Sequence, residues 1–165
     1  MNAPALAREV WQADTRVLVS ELVYRSCLLL DARQFEDYLS LCGQEFQYRI
    51  STYSPEIRKD MTWLEHDREG LAVLFGNLPK HNSYTSPLTR HATVYTVSPG
   101  AASNTFEVVS ALQVFRTTLD GGTSTLFAVG KLHDLIRCEG GDTLLLGRNV
   151  RLDTRMLGYG YHIPL

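Results

Sequence analysis

Cysteine and histidine are the residue types most able to support redox or metal chemistry, and their spacing in this sequence argues against both. An iron–sulfur centre with two Cys and two His ligands needs those residues in closely spaced pairs. The three cysteines, Cys27, Cys42 and Cys138, lie far apart, and none has a histidine two or three residues away. We therefore expect no cofactor of this kind in the chain and interpret the cysteines as reduced thiols.

His66 and Asp67 are adjacent residues that could contribute to a mononuclear iron site. Such a site needs two His and one carboxylate that converge on a metal with open positions. Neighbouring side chains on a helix point about 100° apart, so this pair would not converge on one ion. We interpret Asp67 as a helix N-cap instead. Glycine-rich phosphate loops and the Gly-x-Ser-x-Gly nucleophile motif are also absent from the sequence.

Length and composition predict one ordinary globular domain over residues 1–165. The hydrophobic fraction is 44%, the charged fraction 21% and the net charge −2, without a basic cluster for nucleic acid. No apolar stretch approaches the ~20 residues that span a bilayer. The N-terminus lacks the features of a secretory signal. We expect a cytoplasmic protein that binds neither nucleic acid nor membrane.

Helical periodicity is confined to the first half of the chain. It predicts a first helix over Thr15–Leu30, and a second helix capped by Asp31 and ending at Gly43. A third, short helix is predicted between Asp67 and Asn77, stopped by Leu78-Pro79. The apolar stripe of the first helix consists of Val19, Leu22, Val23, Ser26, Cys27 and Leu30.

Strand periodicity dominates the second half. Phe46–Ile50 predicts one strand among the helices, and the period is two from Thr89 onward. Asp120-Gly121-Gly122 and Glu139–Asp142 predict hairpin turns between long antiparallel strands. The residues predicted to face inward on the last three strands are Phe106, Val108, Leu112, Val114, Leu126, Ala128, Leu132, Ile136, Leu144, Leu146, Val150 and Leu152.

Helices followed by long antiparallel strands joined by tight turns predict an α+β fold. Strands of this length usually form a strongly curved sheet, and the early helices would cover its concave face. This arrangement resembles the cone-like fold of the nuclear-transport-factor-2-like (NTF2-like, SnoaL-like) superfamily.

A series of segments, in order, resembles the small (beta) subunit of aromatic-ring-hydroxylating, Rieske-type dioxygenases. The segments are Leu28–Leu39 at a helix-to-helix junction, Thr89-Arg90-His91 at a strand entry, Glu107–Ser110, Leu132–Arg137, and Arg148–Asp153 in the closing strand. The resemblance implies a non-catalytic subunit that stabilises a trimer of catalytic alpha subunits in an α3β3 complex and itself forms a trimer. It implies no cofactor in this chain, with the Rieske 2Fe–2S cluster and the mononuclear iron on the alpha subunit.

Two stretches depart from the family pattern. The loop Phe75–Leu88 is longer and less acidic than expected, and Thr143-Leu144 stands where a Trp is common. These departures leave the substrate open among arenes, aromatic acids and sulfonates.

The same superfamily contains dehydratases and isomerases that use a pocket Asp and His. In that alternative, Asp31 and His91 would be catalytic and Tyr48 a hydrogen-bond partner. The structural interpretation of Asp31 is a helix cap, and that of His91 is a histidine at the edge of the core. A third alternative is a ligand-binding member of the superfamily that performs no chemistry.

Subunit contacts are expected at the strand entry and in the aromatic tail. Arg90 and His91 are adjacent on a strand and point to opposite faces, so only one of them can enter the cone. The tail contains Tyr159 and Tyr161, which would dock at a subunit boundary or on their own domain.

Overall fold

The computed structural model describes residues 3–81, 85–157 and 163–165, with side chains for residues 14–80, 85–157 and 163–165. Three helices and six strands make up this described part of the chain. They are α1 (Ala3–Asp31), α2 (Phe35–Ser40), β1 (Cys42–Ser54), β2 (Lys59–Asp67), α3 (Arg68–His81), β3 (Leu88–Pro99), β4 (Thr105–Thr117), β5 (Ser124–Glu139) and β6 (Asp142–Leu152).

The strands form one mixed sheet in the order β2-β1-β6-β5-β4-β3. β1 runs parallel to β6, and the other neighbouring strands are antiparallel. The pairing of β1 with β6 joins the helix-rich half of the chain to the strand-rich half in one sheet. This confirms the predicted α+β fold with an antiparallel-rich sheet.

Helix α1 packs the predicted apolar stripe against the sheet, where it contacts β3, β5 and β6. All six residues of that stripe, from Val19 to Leu30, are buried. The helix itself is longer than predicted and begins at Ala3. Among the described helices, none is both long and apolar enough to cross a membrane. We call the helix-covered side of the sheet the inner face and the opposite side the outer face.

The end of α1 overturns the prediction that Asp31 caps the second helix. Arg33 has a positive φ of 56°, and its N–H donates to the Leu30 carbonyl while Gln34 N–H donates to the Leu29 carbonyl. These two bonds form a helix C-terminal cap of the Schellman type. Asp31 is therefore the last residue of α1, and Gln34 is the residue that precedes α2.

Helix α2 ends earlier than predicted because the residues that follow it pair with β6. Leu145 N–H donates to the Leu41 carbonyl at 2.8 Å, and Cys42 is paired with Leu145. Cys42 and Gly43 therefore belong to β1 instead of the helix.

Strand β2 was not predicted from the sequence. The strand pairs antiparallel with β1, yet nearly all its residues are exposed. Without burial on alternate residues, a strand leaves little period-two signal. Helix α3 begins as predicted but continues past Leu78-Pro79 to His81, with Pro79 in its last turn.

The two predicted hairpin turns are present, with positive φ at Gly121, Gly122, Gly140 and Gly141. Three residues predicted to face inward do not do so. Leu126 is 53% exposed, and Leu145 is buried in place of Leu144 and Leu146. The β4–β5 pairing shifts register between Ala128 and Leu126, and the β5–β6 pairing shifts register between Gly147 and Leu145. A β-bulge of this kind changes the face of the sheet on which the neighbouring side chains lie.

Candidate functional site

Asp134 on β5 and Arg148 on β6 form a fully buried ion pair on the inner face. The two residues are directly opposite each other in the β5–β6 register. Nε and Nη2 of Arg148 donate to the two carboxylate oxygens of Asp134, each at 2.7 Å. Both side chains have 0% exposure. A bidentate pair of this kind is among the strongest hydrogen-bonded ion pairs in proteins.

The remaining terminal nitrogen of Arg148 is held by Ser26 on α1. Nη1 donates to Ser26 Oγ at 2.9 Å, and the same hydroxyl donates to the Val23 carbonyl at 2.6 Å. Burial alone would lower the pKa of Arg148, but the charge and hydrogen bonds of Asp134 raise that pKa well above its usual range. Arg148 is therefore a permanent cation that Asp134 already neutralises, and it has little capacity left to bind an anionic substrate.

The polar groups near this ion pair are held neutral by burial. Burial raises the pKa of Tyr38 well above its usual range, raises the pKa of Cys27, and raises the pKa of Cys42 to about 12. None of the three would be ionised near neutral pH, so none is an activated nucleophile or base. Within the described part of the chain, the Tyr38 hydroxyl has no hydrogen-bond partner.

Asp31 is bound by Arg90 at the entry of β3. Arg90 Nη1 donates to Asp31 Oδ1 at 2.5 Å, and the Arg90 backbone N–H donates to Asp31 Oδ2 at 3.1 Å. The Arg90 and Asp31 side chains are 1% and 20% exposed. Arg90 Nη2 also donates to the Pro164 carbonyl at 2.7 Å. Asp31 thus fastens the end of α1 to the sheet, and its carboxylate is not free to act as a general base.

His91 lies on the outer face, away from Asp31. Its side chain is exposed and meets the ring of Phe115 edge-on, with 5.4 Å between the ring centroids. The expectation that only one of Arg90 and His91 enters the interior is confirmed, and Arg90 is the one that enters. Asp31 and His91 consequently do not share a pocket.

Tyr48 lies on the inner face of β1 beside the segment Ile163–Leu165. Its hydroxyl accepts from Leu165 N–H at 2.8 Å and lies 3.3 Å from the Leu165 carbonyl oxygen. Both Tyr48 and Leu165 are buried. The Tyr48 phenol therefore contacts the chain's own backbone at a residue that lies 117 positions further along the sequence.

His66 and Asp67 end β2. The Asp67 carboxylate accepts from Gly70 N–H at 2.7 Å, which confirms Asp67 as the N-cap of α3. Among the described residues, no group of three His, Cys, Asp or Glu side chains could hold a metal ion. The donor set that an iron site needs is therefore not assembled in the part of the chain that the structure describes.

Tyr159 and Tyr161, predicted at a subunit contact, lie outside the described residues. The sequence reasoning did not single out Asp134 and Arg148, although a usable signal was present. Asp134 stands between Leu132 and Ile136 on the inward parity of its strand, and Arg148 precedes Val150 on the inward parity of the next strand. A charged residue of each sign at inward positions of two hairpin-connected strands predicts a buried pair.

The fold is shared with NTF2-like proteins of known structure. An NTF2-like protein with a cystatin-like fold from Novosphingobium aromaticivorans is 16% identical, with a TM-score of 0.62, over 94% of this chain and 92% of that chain. The structure of naphthalene 1,2-dioxygenase with indole bound is 19% identical, with a TM-score of 0.73, over 100% of this chain and 95% of the matched chain. At these identities the likeness establishes the fold.

Sequence comparison identifies the family within this class. The family model for the ring-hydroxylating beta subunit matches residues 25–158. The methanesulfonate monooxygenase hydroxylase subunit beta of Methylosulfonomonas methylovora is 43% identical, over 98% of this chain and 91% of that protein. The 2-aminobenzenesulfonate 2,3-dioxygenase subunit beta of an Alcaligenes species is 36% identical, over 90% and 98%. This chain belongs to the ring-hydroxylating beta subunit family and is the small subunit of an oxygenase complex.

Proposed function

We propose that this chain is the non-catalytic small subunit of a Rieske-type oxygenase that oxidises an organic sulfonate. The observation that carries the choice of substrate class is that both curated relatives are beta subunits of enzymes named for a sulfonate, at 43% and 36% identity. One of these names specifies an alkyl sulfonate and the other an aryl sulfonate. Their common group, the sulfonate, is therefore the part of the substrate that we assign.

A scaffold role is supported by the way the interior of the domain is used. A general acid–base site needs a titratable group within reach of a bound substrate. On the inner face, Asp134 and Arg148 neutralise each other, and Asp31 is bound to Arg90. His91 is on the outer face. The alternative of a dehydratase or isomerase using Asp31, His91 and Tyr48 therefore has little support, and we expect the chemistry on the alpha subunit.

We further propose that three copies of this chain associate with three alpha subunits, which carry the Rieske cluster and the mononuclear iron. The described helices pack on the inner face of the sheet, which leaves the outer face available for contacts. Exposed residues there include His91, Lys131, His133 and Leu135. His91, Tyr159 and Tyr161 remain our candidates for subunit contacts, whereas the Arg90 guanidinium is used within the chain.

Reconstitution with the alpha subunit tests this proposal. The chain is co-expressed with an alpha subunit that contains Cys-x-His and Cys-x-x-His motifs, and electron-transfer proteins are added. Oxygen uptake is then measured with methanesulfonate, 2-aminobenzenesulfonate and, as a carboxylate control, benzoate. We expect uptake with at least one sulfonate and none with benzoate. Uptake with benzoate alone would contradict the sulfonate assignment while leaving the subunit role intact.

A further inference from the structure

The segment Ile163–Leu165 occupies a position that a separate ligand could fill. Pro164 and Leu165 are buried, and Leu165 retains only 1% of its exposed surface. We propose that this segment is a plug: an internal ligand seated in a binding site built by Arg90 and Tyr48, which takes a short apolar peptide or an apolar carboxylate. The inference concerns the small subunit alone and does not depend on the substrate of the oxygenase.

Arg90 supplies the polar anchor of this site. Its guanidinium bridges the Asp31 carboxylate and the Pro164 carbonyl, the latter at 2.7 Å from Nη2. A buried guanidinium needs acceptors on several sides, because leaving a charge without partners in the interior is costly. Asp31 provides one acceptor from the end of α1, and the plug provides another. A carbonyl or carboxylate oxygen from a separate molecule would satisfy the same nitrogen.

Tyr48 supplies the second contact and fixes the register of the plug. Its hydroxyl lies 2.8 Å from Leu165 N and 3.3 Å from the Leu165 carbonyl oxygen, so it can act as acceptor and donor to the same residue. These contacts involve backbone atoms of Leu165. A peptide supplied as a separate molecule would offer the same two atoms.

The plug borders an opening in the surface. A cavity of about 160 Å³ lies beside Ile163, and its lining also includes Asp31, Pro87, Leu88 and Arg90. The Asp31 carboxylate at its edge is 20% exposed. The cavity therefore adjoins the Arg90 end of the site, where the Arg90 side chain itself is 1% exposed.

The decisive experiment removes the plug and supplies it as a separate molecule. A chain ending at residue 162 is prepared in the complex in which the full chain is isolated. The probe is the peptide acetyl-Ile-Pro-Leu, and its binding is measured by isothermal titration calorimetry and by the shift in Tm. We expect the peptide to bind the shortened chain and raise its Tm, and not to bind the full chain, whose site is occupied. Equal binding to both chains, or binding to neither, would overturn the proposal.

A pair of variants on one strand tests the assigned contacts. In the shortened chain, Tyr48→Phe removes only the buried hydroxyl, and we expect the peptide affinity to fall about tenfold. Tyr53→Phe is the matched control, because Tyr53 lies on β1 with 46% of its surface exposed. The control should bind as the shortened chain does. A loss that is equal in both variants would contradict the role of Tyr48.

A variant of the full chain keeps the proposal testable if the shortened chain does not fold. Leu165→Ala empties the space of one side chain while the backbone contacts to Arg90 and Tyr48 remain. Apolar cavities made in this way accept small apolar molecules. We expect benzene to raise the Tm of this variant and not that of the unmodified chain. No shift in the Leu165→Ala chain would overturn the proposal.

Discussion

Asp134 and Arg148 face each other across adjacent strands, joined by two hydrogen bonds of 2.7 Å, with no exposed side-chain surface on either residue. Ser26 on α1 accepts a third hydrogen bond from the guanidinium. The pair therefore ties the first helix to the β5–β6 hairpin through the centre of the domain. Neither charge is therefore left free in the interior for acid–base chemistry.

Removing one partner of this pair should strongly destabilise the domain. Asp134→Leu or Arg148→Met alone leaves an uncompensated buried charge, and we expect each to lower the free energy of unfolding by about 3–5 kcal/mol. The double variant should cost much less than the sum, because both charges leave together. Urea unfolding of the three variants measures this directly.

The control for that comparison is the exposed pair Arg151–Asp60. Its side chains are 48% and 42% exposed and lie 3.2 Å apart. Arg151→Ala should cost less than about 1 kcal/mol, because solvent screens the interaction. A similar cost for Arg148→Met and Arg151→Ala would contradict the structural role assigned to the buried pair.

The sequence predicted the class of fold and the face of α1, because both depend on periodic apolar residues. The predictions from the sequence were wrong where backbone hydrogen bonds, and not periodic apolar residues, determine the local structure. Arg33 forms a Schellman cap although it is not a glycine. Asp31 therefore belongs to α1 and does not cap α2. Register shifts in the hairpins exchanged Leu145 for Leu144 and Leu146 on the inner face. Neither a non-glycine cap nor a bulge leaves a reliable mark on a single sequence.

The candidate site was predictable in part. Alternation along β3 correctly indicated that Arg90 and His91 separate to opposite faces. That Arg90 is the buried member depends on its partners, Asp31 from α1 and Pro164 from the far end of the chain. Asp31 and Pro164 are separated from Arg90 by 59 and 74 residues in the sequence. Such contacts depend on tertiary packing, and a local sequence pattern does not predict them.

Gly130 should tolerate no larger residue. A Cβ atom at this position would lie 2.3 Å from the Arg151 carbonyl oxygen and 2.9 Å from Leu152 Cα, both of which are backbone atoms of β6. Gly130→Ala must therefore move β5 and β6 apart, and we expect a cost of about 1–3 kcal/mol or more. Thermal unfolding measures it.

Gly147 provides the matched control for Gly130 on the neighbouring strand. The nearest atom to a Cβ at Gly147 is 3.7 Å away, which is an ordinary contact distance. Gly147→Ala should change the free energy of unfolding by less than about 1 kcal/mol. If Gly130→Ala proved as mild as this control, the close approach of β5 and β6 would be wrong.

Alkaline pH should destabilise the domain partly through Cys42. Burial raises the pKa of Cys42 from 9.0 to about 12, so the folded state holds its proton where the unfolded state has lost it. The corresponding stability is fully present below pH 9 and is lost as pH rises towards 12. A Cys42→Ala variant should therefore lose less stability than the unmodified chain over this range.

Urea unfolding at several pH values between 8 and 11 gives the comparison for Cys42. Subtracting the curve of the variant from that of the unmodified chain removes the contribution of the other groups that the two proteins share. Parallel curves for both proteins would show that Cys42 is not held neutral by burial.

The purified chain should contain no stoichiometric iron and no visible chromophore. The Asp67 carboxylate already caps α3, and no metal-binding group of three donors occurs in the described parts of the chain. Metal analysis and an absorbance spectrum of anaerobically prepared protein test this. About one equivalent of iron, lost in His66→Ala or Asp67→Ala, would establish a metal site in this subunit and defeat the scaffold role.

The central claim is that this chain acts as the small subunit of an oxygenase whose chemistry is performed by its partner. Sedimentation velocity of the chain, alone and co-expressed with a Rieske-type alpha subunit, tests this most directly. We predict a stable complex with equal amounts of the two subunits, in which all the iron is on the alpha subunit. A monomer that binds no Rieske-type alpha subunit, or that turns over a small hydroxylated or keto substrate by itself, would contradict the claim.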